Sequence, residues 1–125
     1  MDKETAFNIG QSNIRYGPGA TSEIGMDLAD MRAGHVAVMT DPNLADSQPV
    51  ATVLESLDSQ KVCYALFDRV RIEPTDESLQ EAIAFAAAGS FDAFVAVGGG
   101  STIDTAKAAN LYSTYPTDFL DYVNA

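Results

Sequence analysis

The stretch Phe91-Asp-Ala-Phe-Val-Ala-Val-Gly-Gly-Gly-Ser-Thr-Ile-Asp-Thr-Ala-Lys107 decides the fold. It is an apolar run that stops at three consecutive glycines and resumes as a Ser/Thr-led helical segment. This order is typical of a buried strand, a turn of bare backbone and a helix N-terminus. The first N–H groups of a helix lack intrahelical partners and carry the positive end of its dipole. Because glycine lets an anion approach without meeting a Cβ atom, Gly98, Gly99 and Gly100 predict a phosphate site.

This glycine corner differs from two common nucleotide motifs. A G-x-G-x-x-G fingerprint that starts at Gly98 would need a glycine where Ile103 stands, and no Walker A Gly-Lys-Ser/Thr follows. The glycines favour an anion site and leave open a merely tight turn. Asp104 and Lys107 share one side of the new helix, either as a surface ion pair or at the mouth of a ligand crevice. Lys107 is the only basic residue near the glycines in the sequence.

The rest of the chain alternates strands with helices. Such alternation predicts right-handed βαβ units, and hence an α/β, Rossmann-like, doubly wound parallel sheet with helices on both faces. Short extended pieces from Ala6 to Tyr16 predict an N-terminal edge hairpin. The predicted inner strands are 35–40, 61–67 and 91–97, and the predicted helices are 20–31, 49–57, 75–89, 101–113 and 118–123.

The first inner strand ends in Thr40-Asp41-Pro42. An aspartate at the carboxyl end of a parallel strand lies where open α/β sheets bind ligands, and its carboxylate can accept hydrogen bonds from a ribose diol. The same aspartate can instead cap the turn that follows it. Position alone does not separate these two roles for Asp41.

The net charge of the chain limits its partners. Acidic residues outnumber basic ones 18 to 7, which gives a net charge of -11, and the basic residues form no cluster. This balance predicts no nucleic-acid partner and no attraction to an anionic membrane. No apolar run approaches the roughly 20 residues that span a bilayer. Any phosphate site must therefore depend on local N–H groups.

Two single residues bear on compartment and chemistry. The only cysteine, Cys63, cannot form an intrachain disulfide, and its apolar run predicts a structural thiol in a reducing compartment. The first residues, Met1 to Thr5, carry no pattern of a signal or transit peptide. Together these features predict a cytoplasmic location. The only histidine, His35, starts a strand and is expected to be structural.

The segment from Gly98 to Lys107 resembles the GGGSxxDxAK signature of the iron-containing (group III) alcohol dehydrogenases. Two other features agree in order with that family, namely Thr40-Asp41-Pro42 and Glu73-Pro74-Thr75. Longer stretches are similar to its hydroxyacid-oxoacid transhydrogenase branch; they are 12–17, 70–76, 108–112 and 118–122. The resemblance covers nearly the whole chain but only the N-terminal part of such an enzyme.

The resemblance implies NAD as the cofactor. In the family, the residue at Asp41 contacts the adenosine ribose and disfavours NADP, and the residue at Asp104 lies near the nicotinamide side. Relatives often have asparagine at the position of Glu73, so no contact is carried over there. The implied cofactor-binding residues are Asp41, Gly98, Gly99, Gly100, Ser101, Thr102 and Asp104.

The catalytic metal of the family is held by an aspartate and three histidines of a following helical domain, which is absent from this chain. Hydride transfer of this kind needs a Lewis acid, here Fe2+ or another divalent ion such as Zn2+. We therefore expect residues 1–125 to be an N-terminal dinucleotide-binding domain, a fragment of a longer homo-oligomeric enzyme. The chain alone should have no catalytic or metal-binding residue and no activity.

Several functions remain compatible with the sequence. The favoured one is a transhydrogenase that moves hydride from a hydroxyacid such as 4-hydroxybutyrate to an oxoacid such as 2-oxoglutarate. Simple alcohol oxidation is the alternative within the family. Outside the family, the alternative is a non-catalytic nucleotide-binding module. A further alternative is a doubly wound domain in which the turn from Gly98 to Gly100 is only structural.

Overall fold

The computed structural model describes residues 14–116. Strands and helices alternate over this range, as the sequence predicts. The predicted hairpin falls mostly on residues 6–13, and the last predicted helix on 118–123, both outside the described residues. Ile14 to Tyr16 belong to no strand. The elements are a 3-10 turn Ala20–Glu23, α1 Ile24–Asp30, β1 Val36–Met39, α2 Gln48–Ser59, β2 Tyr64–Phe67, α3 Asp76–Gly89, β3 Ala93–Ala96 and α4 Gly100–Thr114.

The three strands form one parallel sheet in the order β2-β1-β3. Val36 lies opposite Tyr64 on one side and Ala93 on the other. All four residues of β1 are buried, because strands flank it on both edges and helices cover both faces. The predicted parallel sheet is confirmed.

Helices pack in pairs on the two faces of the sheet. α1 and α2 cover one face, where the core is made by Leu28, Val36, Val38, Val53, Leu57 and Val62. α3 and α4 cover the other face, where the core is made by Met39, Phe67, Val70, Ala82, Ala86, Ala106 and Ala109. The sheet is therefore doubly wound, as predicted.

The position of Cys63 differs from the prediction. β2 begins at Tyr64 rather than within the longer run 61–67, and Cys63 is exposed just before it. The apolar letters around Cys63 suggested burial, but Cys63 lies between the turn at residues 60–61 and the start of β2, and only its backbone carbonyl pairs with Val36 of β1. Cys63 is not a buried structural thiol.

The amino ends of β1 and β3 are joined by Asp92. Its carboxylate accepts hydrogen bonds from the N–H groups of Gly34, at 2.8 Å, and His35, at 3.0 Å. These N–H groups, Gly34 first, lower the pKa of the Asp92 carboxyl. The ring of His35 packs on Phe91 at 4.4 Å, and its Nδ1 lies 2.9 Å from the carbonyl oxygen of Gly89. A carbonyl only accepts, so Nδ1 donates, and His35 has a structural role at the edge opposite the glycine corner.

Gly25 allows α1 to approach α2 closely. Its N–H donates to the hydroxyl of Ser56 at 2.8 Å, and that hydroxyl donates to the carbonyl of Ser22 at 2.6 Å. A Cβ atom on Gly25 would lie 2.1 Å from the backbone oxygen of Ser56. Glycine lowers the helix propensity of α1, but the close approach of α1 to α2 requires it at position 25.

Gly25→Ala should therefore destabilise the protein although alanine is the better helix former. We expect a loss of about 1–3 kcal/mol in the free energy of unfolding, because the methyl group would push α1 off α2. Urea denaturation of the full chain measures it. Gly100→Ala, where an added Cβ meets open space, is the control. An unchanged or higher midpoint for Gly25→Ala would contradict the close approach.

Candidate functional site

The carboxyl ends of the three strands meet at one edge of the sheet. β1 leads into α2 on one face, whereas β3 leads into α4 on the other face. The chain therefore diverges between β1 and β3, which is the topological switch point where open α/β sheets bind ligands. Asp41 follows β1, and the glycine corner follows β3. The fold thus brings the two predicted features to the carboxyl ends of two adjacent strands.

Hydrogen bonds tie the strand ends together. The hydroxyl of Thr40 donates to the carbonyl of Val97 at 2.7 Å, and the N–H of Val97 donates to the carbonyl of Met39 at 2.9 Å. The N–H of Val70 donates to the carbonyl of Thr40 at 3.2 Å. Thr40 is fully buried. The sequence analysis assigned it no role, although a polar residue that ends an apolar strand is a usable signal.

Gly98 is required by the backbone. Its φ of 155° is one that L side chains rarely adopt, and an added Cβ would lie 2.6 Å from the hydroxyl oxygen of Thr102. Gly99 and Gly100 differ, because an added Cβ on either would meet nothing within 4 Å. The need for a tight turn thus explains why residue 98 is glycine, but not why residues 99 and 100 are. The open space over Gly99 and Gly100 favours an anion site.

The first turn of α4 has free donors. The N–H groups of Thr102 and Ile103 both donate to the carbonyl of Gly99 at 3.1 Å. Within residues 14–116, the N–H groups of Gly99, Gly100 and Ser101 donate to no other residue. Gly99 is the N-cap and offers no side chain, and the first turn contains no acidic residue. These N–H groups can bind an anion.

The N-terminus of α3 shows the opposite arrangement. Thr75 accepts a hydrogen bond from the N–H of Ser78 at 3.0 Å, and the hydroxyl of Ser78 accepts one from the N–H of Thr75 at 2.8 Å. Asp76 and Glu77 lie in the first turn, where the helix dipole favours them. The helix predicted from residue 75 thus begins with a cap at Thr75, and α3 needs no external anion.

Ser101 and Thr102 support the corner through their side chains. The hydroxyl of Ser101 donates to the carbonyl of Ile72, in the connector between β2 and α3. Thr102 is buried, and its side chain lies under Gly98. Of the predicted phosphate-loop residues, Ser101 offers its N–H to a ligand, whereas the N–H of Thr102 is already used within the corner.

Asp41 has the turn role that the sequence left open. Its Oδ1 accepts hydrogen bonds from the N–H groups of Asn43, at 2.8 Å, and Leu44, at 3.0 Å. Asp41 is 7% exposed, and its Oδ2 accepts no hydrogen bond from another residue of the described range. The second oxygen therefore remains for a ligand.

Asp104 and Lys107 are both exposed on α4. Over residues 14–116 they form no ion pair with each other. The structure thus does not support the surface ion pair. Two clefts open near the strand ends, one at Pro42 and one at Gly98, and Asp104 lines neither of them. Its role near the nicotinamide stays a prediction.

A first cleft, of about 420 Å3, opens between the turn after Asp41 and the β2–α3 connector. It is lined by Pro42, Asn43, Val70, Arg71, Ile72 and Glu73. The hydrogen bond from Ser101 to Ile72 brings one wall of this cleft to the N-terminus of α4. The structure thus places Arg71 in the lining of this cleft, next to the residue that Ser101 contacts.

A second cleft, of about 370 Å3, lies on the α1 side of the corner and is lined by the end of β3, Gly98, Ile24 and Val53, with Arg15 among its polar residues. The guanidinium of Arg15 pairs with Asp27 at 2.7 Å and Glu23 at 3.2 Å. Asp27 is the main cause of a raised pKa for Arg15. Its charge is thus already matched within the protein.

The described side chains offer no metal site, and the described helices offer no membrane span. Between residues 14 and 116, no group of three or more His, Cys, Asp or Glu side chains is placed to hold a metal ion. Among the helices of the same range, none is long and apolar enough to cross a membrane. The side chains of residues 14–116 therefore do not fit a catalytic metal.

Comparisons with known proteins agree on one family. Residues 11–125 match the model of the iron-containing alcohol dehydrogenases. The chain is 60% identical over 121 residues to the mitochondrial hydroxyacid-oxoacid transhydrogenase of Bos taurus, covering 96% of this chain and 26% of that protein. It is 60% identical over 122 residues to the same enzyme of Xenopus tropicalis, covering 97% and 26%. The chain spans about a quarter of the length of these relatives.

A solved structure supports the fold. The NADH-dependent butanol dehydrogenase A of Thermotoga maritima superposes with a TM-score of 0.84, at 24% identity, over 94% of this chain and 30% of that one. The family resemblance seen in the sequence, including its transhydrogenase branch, is confirmed.

The predicted cytoplasmic location is contradicted, because both transhydrogenase relatives are named as mitochondrial. The prediction rested on the first residues of the chain and on the single Cys63. One cysteine indicates a reducing environment but does not distinguish one such compartment from another. Targeting signals are read by receptors and leave no mark on the packed domain.

The glycines of the corner should respond differently to substitution. Gly98→Ala should lower the free energy of unfolding by about 1–3 kcal/mol, because its backbone becomes strained and its methyl group meets Thr102. Gly99→Ala should change it by less than about 0.5 kcal/mol, as is usual at an open position. Thermal and urea unfolding measure both. Equal losses would mean that Gly99 is structural and would weaken the case for an anion site.

Proposed function

The chain belongs to the iron-containing alcohol dehydrogenase family, and on that premise we propose that residues 1–125 form the dinucleotide-binding domain of an NAD-dependent oxidoreductase. One observation carries the proposal. At the N-terminus of α4, the N–H groups of Gly99, Gly100 and Ser101 have no acceptor within residues 14–116. The space beside both glycines is open, because a Cβ atom on either would meet nothing within 4 Å. Such an arrangement suits the pyrophosphate of a dinucleotide.

The adenosine half of NAD occupies the first cleft in this proposal. That cleft begins at Pro42, next to Asp41, whose free Oδ2 can accept hydrogen bonds from the two hydroxyls of the ribose. The pyrophosphate then lies on the corner, which Ser101 joins to the wall of the cleft. Arg71 supplies positive charge in a chain whose net charge is -11. The nicotinamide end continues past the corner, and Asp104 remains its candidate neighbour.

The reaction proposed for the whole protein follows its relatives, which are named hydroxyacid-oxoacid transhydrogenases. Hydride passes from the carbinol carbon of a hydroxyacid, such as 4-hydroxybutyrate, to NAD, and the hydroxyl proton is released. The NADH then returns the hydride to the carbonyl carbon of an oxoacid, such as 2-oxoglutarate, which takes up a proton.

The remaining parts of this enzyme are also proposals. A helical domain outside this chain would supply the metal, Fe2+ or another divalent ion, and with it the Lewis acid that this chemistry needs. The whole enzyme is a homo-oligomer and works in the compartment for which its relatives are named, the mitochondrion. The 125-residue chain alone binds NAD but performs no hydride transfer.

Calorimetric titration of the full chain with NAD tests the cofactor site. Gly99→Val should weaken NAD binding by at least about tenfold, because the side chain fills the phosphate position and loses hydrogen bonds to charged oxygens. Its unfolding midpoint should stay close to that of the unmodified chain. If Gly99→Val kept its affinity for NAD, the glycine corner would not be part of the cofactor site. If the unmodified chain did not bind NAD, the proposed dinucleotide-binding function would be wrong. Hydroxyacid-dependent NADH formation by residues 1–125 alone would contradict the proposal that this chain binds NAD but performs no hydride transfer.

Asp41 should set the preference for NAD over NADP. The unmodified chain should bind NAD at least about tenfold more tightly, because the 2′-phosphate of NADP would meet the carboxylate. Asp41→Asn keeps an acceptor for the N–H groups of Asn43 and Leu44 and removes the charge. It should narrow the preference by about tenfold while the fold is retained. Equal affinities of the unmodified chain for both cofactors would exclude this role of Asp41.

A further inference from the structure

The hydrogen bond between Ser101 and Ile72 joins two parts of the chain that are not neighbours in the sheet. Ile72 follows β2 and Ser101 follows β3, and β1 lies between these strands. Adjacent strands are about 4.8 Å apart, so the ends of β2 and β3 are separated by about 10 Å. The connector from Val70 to Glu73 must therefore cross the end of β1 to bring the carbonyl of Ile72 to the hydroxyl of Ser101.

From this geometry we propose that Ser101 is a positioning residue that holds the wall of the first cleft against the N-terminus of α4. The proposal rests on the function proposed above, in which the cleft takes adenosine and the corner takes pyrophosphate. The hydroxyl of Ser101 thereby fixes the distance between the two halves of the nucleotide site.

The hydroxyl is engaged before any ligand arrives. A serine hydroxyl has one proton to donate, and in Ser101 that proton goes to the carbonyl of Ile72. It cannot donate to a phosphate oxygen at the same time. The phosphate contact of Ser101 is therefore made by its backbone N–H, which donates to no other residue between 14 and 116.

Few other contacts restrain the connector. At one end the N–H of Val70 donates to the carbonyl of Thr40, and at the other end Thr75 begins the capped helix α3. Between them, the bond to Ser101 is the one hydrogen bond or ion pair that the described residues make to Arg71, Ile72 or Glu73. All three are exposed, with Ile72 at 61%. Loss of the hydroxyl should leave this wall loosely held.

The consequence depends on the size of the ligand. A dinucleotide that contacts both the cleft and the corner gains affinity when the two are held at the right spacing, because less ordering remains to be done on binding. Inorganic pyrophosphate contacts only the N–H groups of the corner. Removal of the hydroxyl should therefore weaken NAD binding and spare pyrophosphate binding.

Calorimetry on the full chain with NAD and with inorganic pyrophosphate tests the role. Ser101→Ala should weaken NAD binding about tenfold and change pyrophosphate affinity by less than about twofold. Ser101→Thr, which keeps a hydroxyl, should restore most of the NAD affinity. The control is Ser113→Ala, on the same helix, where the hydroxyl donates only to the carbonyl of Asn110. It should leave both affinities unchanged.

Limited proteolysis with trypsin gives a readout that needs no ligand. Cleavage after Arg71 should be several-fold faster in Ser101→Ala than in the unmodified chain or in Ser113→Ala, because the connector has lost its tie. Equal cleavage rates would overturn the positioning role.

The outcomes of the titrations are distinct. A parallel loss of NAD and pyrophosphate affinity in Ser101→Ala would make the hydroxyl a phosphate ligand and overturn the proposal. Normal NAD binding by Ser101→Ala would overturn the positioning role and leave the proposed function standing. Failure of the unmodified chain to bind NAD would overturn both.

Discussion

The uncapped N-terminus of α4 is the constraint on which the rest of the site depends. A helix start leaves N–H groups that need a partner, and a protein can satisfy them with its own side chains. α3 does so with the side chains of Thr75 and Ser78, and two carboxylates lie in its first turn. α4 instead begins at Gly99, with no capping side chain and no acidic residue in its first turn. The chain thus keeps one of two similar helix ends available for an anion.

The site can stay open because other residues hold its frame. Thr40 joins the end of β1 to that of β3, and Val70 joins β2 to β1. Ser101 completes the set by joining α4 to the β2–α3 connector across the central strand. These bonds are made between protein groups, so the spacing of the loops does not depend on a ligand. Preorganisation of this kind reduces the ordering that binding requires.

The sequence predicts the local features and the doubly wound parallel sheet, but not the individual contacts between segments that are distant in the chain. The strands, the cap at Thr75 and the turn at Gly98 follow from patterns within a few residues, and the structure contains them. The order of the strands cannot be read from any one segment. For this reason neither the bond from Ser101 to Ile72 nor the cleft that Arg71 lines could be predicted. Gly25 shows the same limit, because the residue that requires a glycine there is Ser56, 31 residues away in the sequence.

Asp41 shows that a structural role and a proposed functional role need not exclude each other. The sequence offered a turn or a ribose contact as alternatives, and the structure gives the turn to one oxygen only. Because the N–H groups of Asn43 and Leu44 fix Oδ1, the direction of Oδ2 is fixed as well. A carboxylate whose first oxygen is held in this way has little side-chain freedom left to lose when its second oxygen binds a ligand. The turn that competed with the functional interpretation is therefore compatible with the proposed ribose contact. Such a local contact matters in a chain of net charge -11, where long-range attraction cannot help a dinucleotide to bind.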